Sequence, residues 1–344
     1  MSWSQRQYLI AFNMVPSIGG RRLLSIKEHF GSLEEAWHAP IKELTNVEGI
    51  GPKIAERFCT IRPTISPERE EKWADGLGAR IITLADSSYP DYLKGLAVPP
   101  PVLYVRGKMP TQPGIAVVGT RRPSRVGIAQ ARQFSSYLAS QGIPVVSGLA
   151  RGIDFASHDE VVKAGGVTVA VLGSNLADLY PPEHRLLANR ITERGALITE
   201  FSSRCPTVPG NFPRRNRIIA ACSQGVLVVQ AGRTSGALHT VDWALELGIE
   251  VWAIPGEISD PLRQGNHRLI RQGAALVSDP TELIEGGVHK GMDNGNHPSL
   301  EVLYDAGYSP NEIAATLDQP VHDILSEISL LQVKRGSKMG QLKK

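Results

Sequence analysis

The chain has 344 residues, 42% hydrophobic and 21% charged, and a net charge of +3; this is ordinary for a soluble globular protein with room for two or three domains. No apolar run reaches the ~18 residues of a membrane span, and residues 1–20 lack the basic start and clean apolar core of a signal peptide. Three cysteines without C-x-x-C spacing (Cys59, Cys205, Cys222) argue against a disulfide framework or a zinc site and for the cytoplasm.

The first segment, about 1–62, reads as helical. Its stretch VEGIGPKIA (47–55) has the form of a hairpin between helices, with Pro52 at a helix start, and PSIGGRRLLSIKEHF (16–30) is a poorer copy upstream. Such a helix-hairpin-helix unit either offers N–H groups to a nucleic-acid backbone or serves as a small packing module, since Glu48 and Glu56 flank the hairpin.

From 75 to 285, apolar β-branched runs alternate with helical patterns. Strands are expected at 80–84, 115–119, 143–148, 167–173, 196–200, 225–230 and 250–255, and helices at 127–141, 154–164, 183–194, 213–222 and 236–247. Near-continuous apolar strands separated by helices predict a doubly wound, Rossmann-like α/β domain built on a parallel sheet, with ligand-binding loops after its strands. GTRRPS, SGLARGID, GSNLADLYPPEH and QAGRTSGALHT all fall on that edge, where glycine turns opening into helices suit phosphate.

Residues 286–298 have linker composition. Beyond them, 299–344 reads as a small winged-helix-like domain, with Ser309 capping a helix that turns Ile313 and Leu317 inward. A second helix carries Ile324, Ile328 and Leu331, and a remnant wing follows at 332–344. Asp323 and Glu327 make its second helix a poor reader of DNA bases.

The small net charge conceals a segregation. No acid lies between Asp91 and Asp154, where Lys and Arg supply eight positive charges, or between Glu200 and Asp242, where arginines supply five; the rest of the chain is net −10. Cations gathered at strand-to-helix turns are the footprint of a polyanion partner.

Several enzyme classes fail on their motifs. AVVGTRRPSRVG (116–127) lacks the second and third glycines of a dinucleotide loop, and no acid follows ~20 positions on. No G-x-x-x-x-G-K-[ST], G-x-S-x-G or H-E-x-x-H occurs. Asp154 and His158 are either an acid/base couple or a helix-start network in which Asp154 accepts N–H bonds. Glu200 is expected to orient arginines, and Phe212 either stacks on a base or belongs to the core.

GTRRPSRVG (119–127), SGLARGID (147–154), His158, YPPEH (180–184), FPRRNRIIA (212–220), SGALHT (235–240), IPGE (254–257) and LIRQGA (269–274) together resemble the DprA/Smf family of DNA-processing proteins. The resemblance implies binding and protection of single-stranded DNA without base specificity, loading of RecA recombinase onto it in natural transformation, a homodimer built through the Rossmann-like domain, and no catalytic residues, metal or cofactor. It puts Arg121 in the DNA pocket, with Gly148, Gly152 and Asp154 shaping the second loop. Arg215, Asn216 and Arg217 line the pocket from their helix, and Ser235 and Gly236 close it; Arg122 and Arg151, in the same turns, complete the expected DNA-binding set. The alternative is a LOG-like nucleoside-monophosphate phosphoribohydrolase, although GRTSGALHT lacks that group's P-G-G-x-G-T glycines and following glutamate.

Overall fold

The computed structural model describes residues 3–285 and, beyond them, 300, 304, 309–317, 320, 321, 324, 325 and 328. Two compact units are present, Met1–Gly287 and Val288–Lys344.

The first unit is built on a sheet of nine strands among the described residues. They are β1 (Ala79–Thr83), β2 (Val102–Gly107), β3 (Gly114–Gly119), β4 (Val145–Ser147), β5 (Thr168–Val171), β6 (Ala196–Thr199), β7 (Ser223–Gln230), β8 (Glu250–Ala253) and β9 (Ala275–Leu276). Their order is β1-β2-β6-β5-β4-β3-β7-β8-β9. The expected parallel, doubly wound sheet is present from β6 to β9. Sequence reading missed β2, and with it the mixed character of one edge: β2 pairs antiparallel with both β1 and β6. VLYVRG carries the apolar signal of a strand, but the prolines at 99–101 before it read as loop.

After β3 the chain adds β4, β5 and β6 on one side, then returns to lay β7 on the other. The β3/β7 boundary is therefore the topological switch point, where a doubly wound sheet leaves a crevice beyond its strand ends.

The N-terminal helices, among them Gln5–Asn13, Gly20–Phe30, Leu33–His38 and Pro52–Ile61, close around a triad of aromatic rings. The Phe12, Trp37 and Phe58 centroids lie 5.0 to 5.5 Å apart. Ser4 caps the first helix in a capping box with Gln7, and Pro52 opens the last behind Gly51. Their core runs on without a break into the sheet: Tyr8, Phe12 and Trp37 share one apolar cluster with Ile81, Tyr104, Leu172 and Leu197. The Pro67–Gly76 helix runs past residue 75, the expected start of the α/β segment, and its buried Glu70 accepts from the Tyr104 hydroxyl (2.8 Å) and the Ser203 N–H (2.8 Å).

In the second unit, Ser309 and Glu312 form a reciprocal cap on the Pro310–Leu317 helix. Ile313, Ala314, Ile324 and Ile328 are buried together with Leu300. The expected linker at 286–298 and wing at 332–344 lie outside the described residues.

Candidate nucleic-acid interface

A cleft of about 500 Å³ opens at the β3/β7 switch point. Of the residues named from sequence, Arg121, Arg122, Asp154, Arg215, Asn216, Ser235 and Gly236 line it, beside Phe212 and His239. Gly148, Gly152, Arg151 and Arg217 do not, and each has a separate place.

The β3 turn is held from beneath by the end of β7. Thr120 N–H donates to the Gln230 carbonyl (2.7 Å), Ser124 N–H to Gln230 Oε1 (2.9 Å), and Arg122 N–H to Thr120 Oγ1 (3.2 Å). Ser124 then caps the Arg125–Ser140 helix by accepting from Gly127 N–H. Three N–H groups of this turn are thus already engaged. What it offers a ligand is the exposed side chains of Arg121 and Arg122, not the N–H cradle that glycine turns suggest. Gly152, at φ 81°, packs under the same turn; a Cβ there would meet the Thr120 carbonyl, in a backbone conformation that favours glycine.

The Asn211–Ala221 helix forms the opposite wall, and its arginines go different ways. Arg215 is buried, 3% exposed. It donates to the carbonyls of Gly148 (2.7 Å) and Val171 and to Asn216 Oδ1 (3.2 Å). Burial pushes its guanidinium down to about 10, with the nearby Asp154 carboxylate opposing the shift. Asn216 carries the network onward by donating to the Gly236 carbonyl (3.3 Å). Arg217 faces away from the cleft. It donates to Glu200 Oε2 (2.6 Å) and the Val98 carbonyl (2.9 Å) and is 6% exposed. Its expected place in the pocket is therefore corrected: Arg217 is a buried structural cation. Glu200 does orient arginines, since Arg214 shares the same oxygen at 3.0 Å.

The Asp154–His158 couple is absent. Asp154 accepts from the N–H groups of Gly148 (3.1 Å) and Ala150 (3.3 Å), as expected of a helix-start residue; burial raises its carboxyl, opposed by Arg215 and these bonds. His158 instead bonds Thr168 Oγ1 through Nδ1 (2.7 Å). The Thr168 hydroxyl spends its proton on the Val145 carbonyl (2.8 Å), so it accepts from His158 and fixes the Nδ1–H tautomer. The other nitrogen, Nε2, is buried with no partner. Burial, then the charges of Arg215 and His184, lower His158 to about 3. It is a neutral core histidine.

A feature that sequence reading missed lies at the mouth of the cleft. The Arg121 guanidinium sits 5.7 Å from the Phe212 ring centroid, Phe212 lies 5.4 Å from Tyr180 at 62°, and Arg151 sits 5.8 Å from Tyr180. These alternate cation, ring, ring, cation in a row, with Tyr180 41% exposed. Phe212 is half-buried, with one side of its ring packed at Gly173. Arg151 is anchored at the far end by Glu183 (2.6 Å). The signal was present in YPPEH, but nothing in sequence places residue 180 beside residue 212.

The profile of the family described as DNA recombination-mediator protein A matches residues 80–286, and that of a SAM-like helix-hairpin-helix tandem matches residues 9–59. Protein Smf of Escherichia coli is 38% identical over 275 residues, covering 79% of this chain and 72% of that one. Among solved structures, DNA processing protein A of Streptococcus pneumoniae superposes with a TM-score of 0.70 at 29% identity, over 83% of this chain and 98% of that one. DNA processing protein A of Helicobacter pylori, described for its single-stranded DNA binding mode, shares the fold at a TM-score of 0.55 and 24% identity, over 62% of this chain and 97% of that one.

Proposed function

This chain belongs to the DNA recombination-mediator protein A (DprA/Smf) family, and we propose that it binds and protects single-stranded DNA without reading its base sequence. The observation that carries the reading is the row Arg121–Phe212–Tyr180–Arg151 at the mouth of the switch-point cleft. Exposed cations suit the phosphates of a strand, and ring faces accept any base. Gly148, Gly152, Asp154, Arg215 and Asn216 support the site from behind, while Ser235 and Gly236 form its far rim.

The cleft's chemistry favours binding over turnover. Asp154, the one carboxylate lining it among the described residues, is buried and tied to two N–H groups beside Arg215. The phosphoribohydrolase alternative needs a free carboxylate near its substrate, and this one is committed to the scaffold. Family membership supports the further roles in this reading: handing the covered strand to RecA during natural transformation, action as a homodimer through the Rossmann-like domain, and work in the cytoplasm.

The test is titration of a labelled oligothymidylate with the wild-type protein and with Arg121→Glu at moderate salt. Binding at least ~10-fold weaker, with an unchanged unfolding midpoint, is the expected result. Equal binding by the two proteins overturns the assignment.

A further inference from the structure

We propose that a strand held in the cleft continues over the N-terminal end of the Asn211–Ala221 helix into a second basic hollow, where arginines hold its phosphates; this rests on the reading of the cleft as a DNA site. The hollow lies between the two N-terminal helical hairpins and the loop after β6, and its volume is about 1190 Å³. That exceeds the roughly 300–1,000 Å³ that small-molecule ligands occupy, so a polymer segment suits it better than a mononucleotide.

Six arginines line the hollow against two glutamates. Glu200 is already neutralised by Arg214 and Arg217, and Glu48 lies exposed. Arg204 is fastened to Thr64 and Arg22 to the Gly49 and Ser17 carbonyls. Arg21 and Arg57 are exposed, and among the described residues their side chains make no hydrogen bond or ion pair. Hydrated and without a carboxylate partner, these two are where added negative charge gains most.

The two rooms share a wall and meet at a single peptide. Phe212, Arg215 and Asn216 face the cleft, while Arg214 and Arg217 face the hollow. At the helix start, Asn211 lines the hollow and its neighbour Phe212 lines the cleft. A strand that stacks a base at Phe212 is thereby placed, across the Asn211–Phe212 peptide, beside residues that line the hollow.

The experiment compares the wild type, Arg121→Glu and the double variant Arg21→Glu/Arg57→Glu on oligothymidylates of about six and about twenty nucleotides, lengths that bracket a typical single-strand footprint. Both hollow positions are exposed, and an unchanged unfolding midpoint is the control for folding. The double variant is expected to match the wild type on the short strand and to bind the long one at least ~10-fold more weakly. Its salt dependence on the long strand should be shallower by about 1.4, from the ~0.7 per phosphate of single strands. Wild-type affinity and salt dependence of the double variant on both lengths overturns the proposal and leaves the cleft reading intact. Wild-type binding by Arg121→Glu, or no binding by the wild type itself, defeats the cleft reading and this inference with it.

Discussion

The guanidinium of Arg215 fills the space that any side chain at position 148 would need, and it donates to the carbonyl of Gly148 at 2.7 Å. Gly148→Ala sets a methyl group on that buried cation. Overpacking of this kind costs about 1–3 kcal/mol, which urea denaturation should register as a lower midpoint at constant slope.

Arg215→Met tests the cation itself. It leaves the Gly148 and Val171 carbonyls without their donor and Asp154 buried without its neighbouring charge. We expect a loss of about 3–5 kcal/mol, the cost of stranding one member of a buried charged network. Pairing it with Asp154→Asn should recover part of the loss, and a double-mutant cycle by chemical denaturation measures how much.

Arg217→Glu should unfold the protein, where Arg121→Glu should not. The first sets a second carboxylate against the buried Glu200, whereas Arg121 is exposed and its reversal should stay within about 0.5 kcal/mol. Circular dichroism melts of the two variants side by side separate the outcomes.

Tyr180→Ala and Phe212→Ala should each weaken binding to single strands by about 1–3 kcal/mol, the worth of one base–aromatic stack. The loss should be similar on oligothymidylate and oligoadenylate, because ring faces do not read base edges. A loss confined to one base would show a specificity that the site, as described, does not contain.

His158 makes stability depend on pH. Its folded value is lowered to about 3 from an ordinary 6.5, so the unfolded chain takes up a proton in a range where the folded chain does not. Its contribution is complete above pH 6.5 and is lost as pH falls, at up to about 1.4 kcal/mol per unit. Between pH 6.5 and ~4.5, above most carboxylate titrations, His158→Asn should flatten this slope while keeping a donor for Thr168. Urea midpoints across that window are the measurement.

The alternation of strand and helix was legible because the central parallel strands, β3 to β7, are apolar and buried on both faces, whereas the short, exposed β9 gave no such signal. The cap at Ser309 could be read because its signal is local. The fates of Arg214, Arg215 and Arg217 were not legible. They stand in one run, FPRRNR, and composition treats them alike. Burial separates them, and burial is decided by Gly148, Glu200 and Val98, which are distant in sequence. The antiparallel pairing of β2 and the meeting of Tyr180 with Phe212 are long-range facts of the same kind. The helical start was readable as helices, but its continuity with the sheet was not, because no periodicity shows that Phe12 and Tyr104 share one core.

The stretch from Asn211 to Arg217 is a place where spelling can drift but spacing cannot. Each residue advances an α-helix by about 100°, and here successive residues serve different rooms, with Arg215 and Arg217 locked to opposite anchors. A single inserted or deleted residue would turn every later side chain onto the wrong side at once. Substitutions that keep charge and size can be absorbed one by one, whereas a change of length cannot be absorbed at all. Variation among working versions of this protein should therefore appear at these positions as exchanged letters, never as gaps.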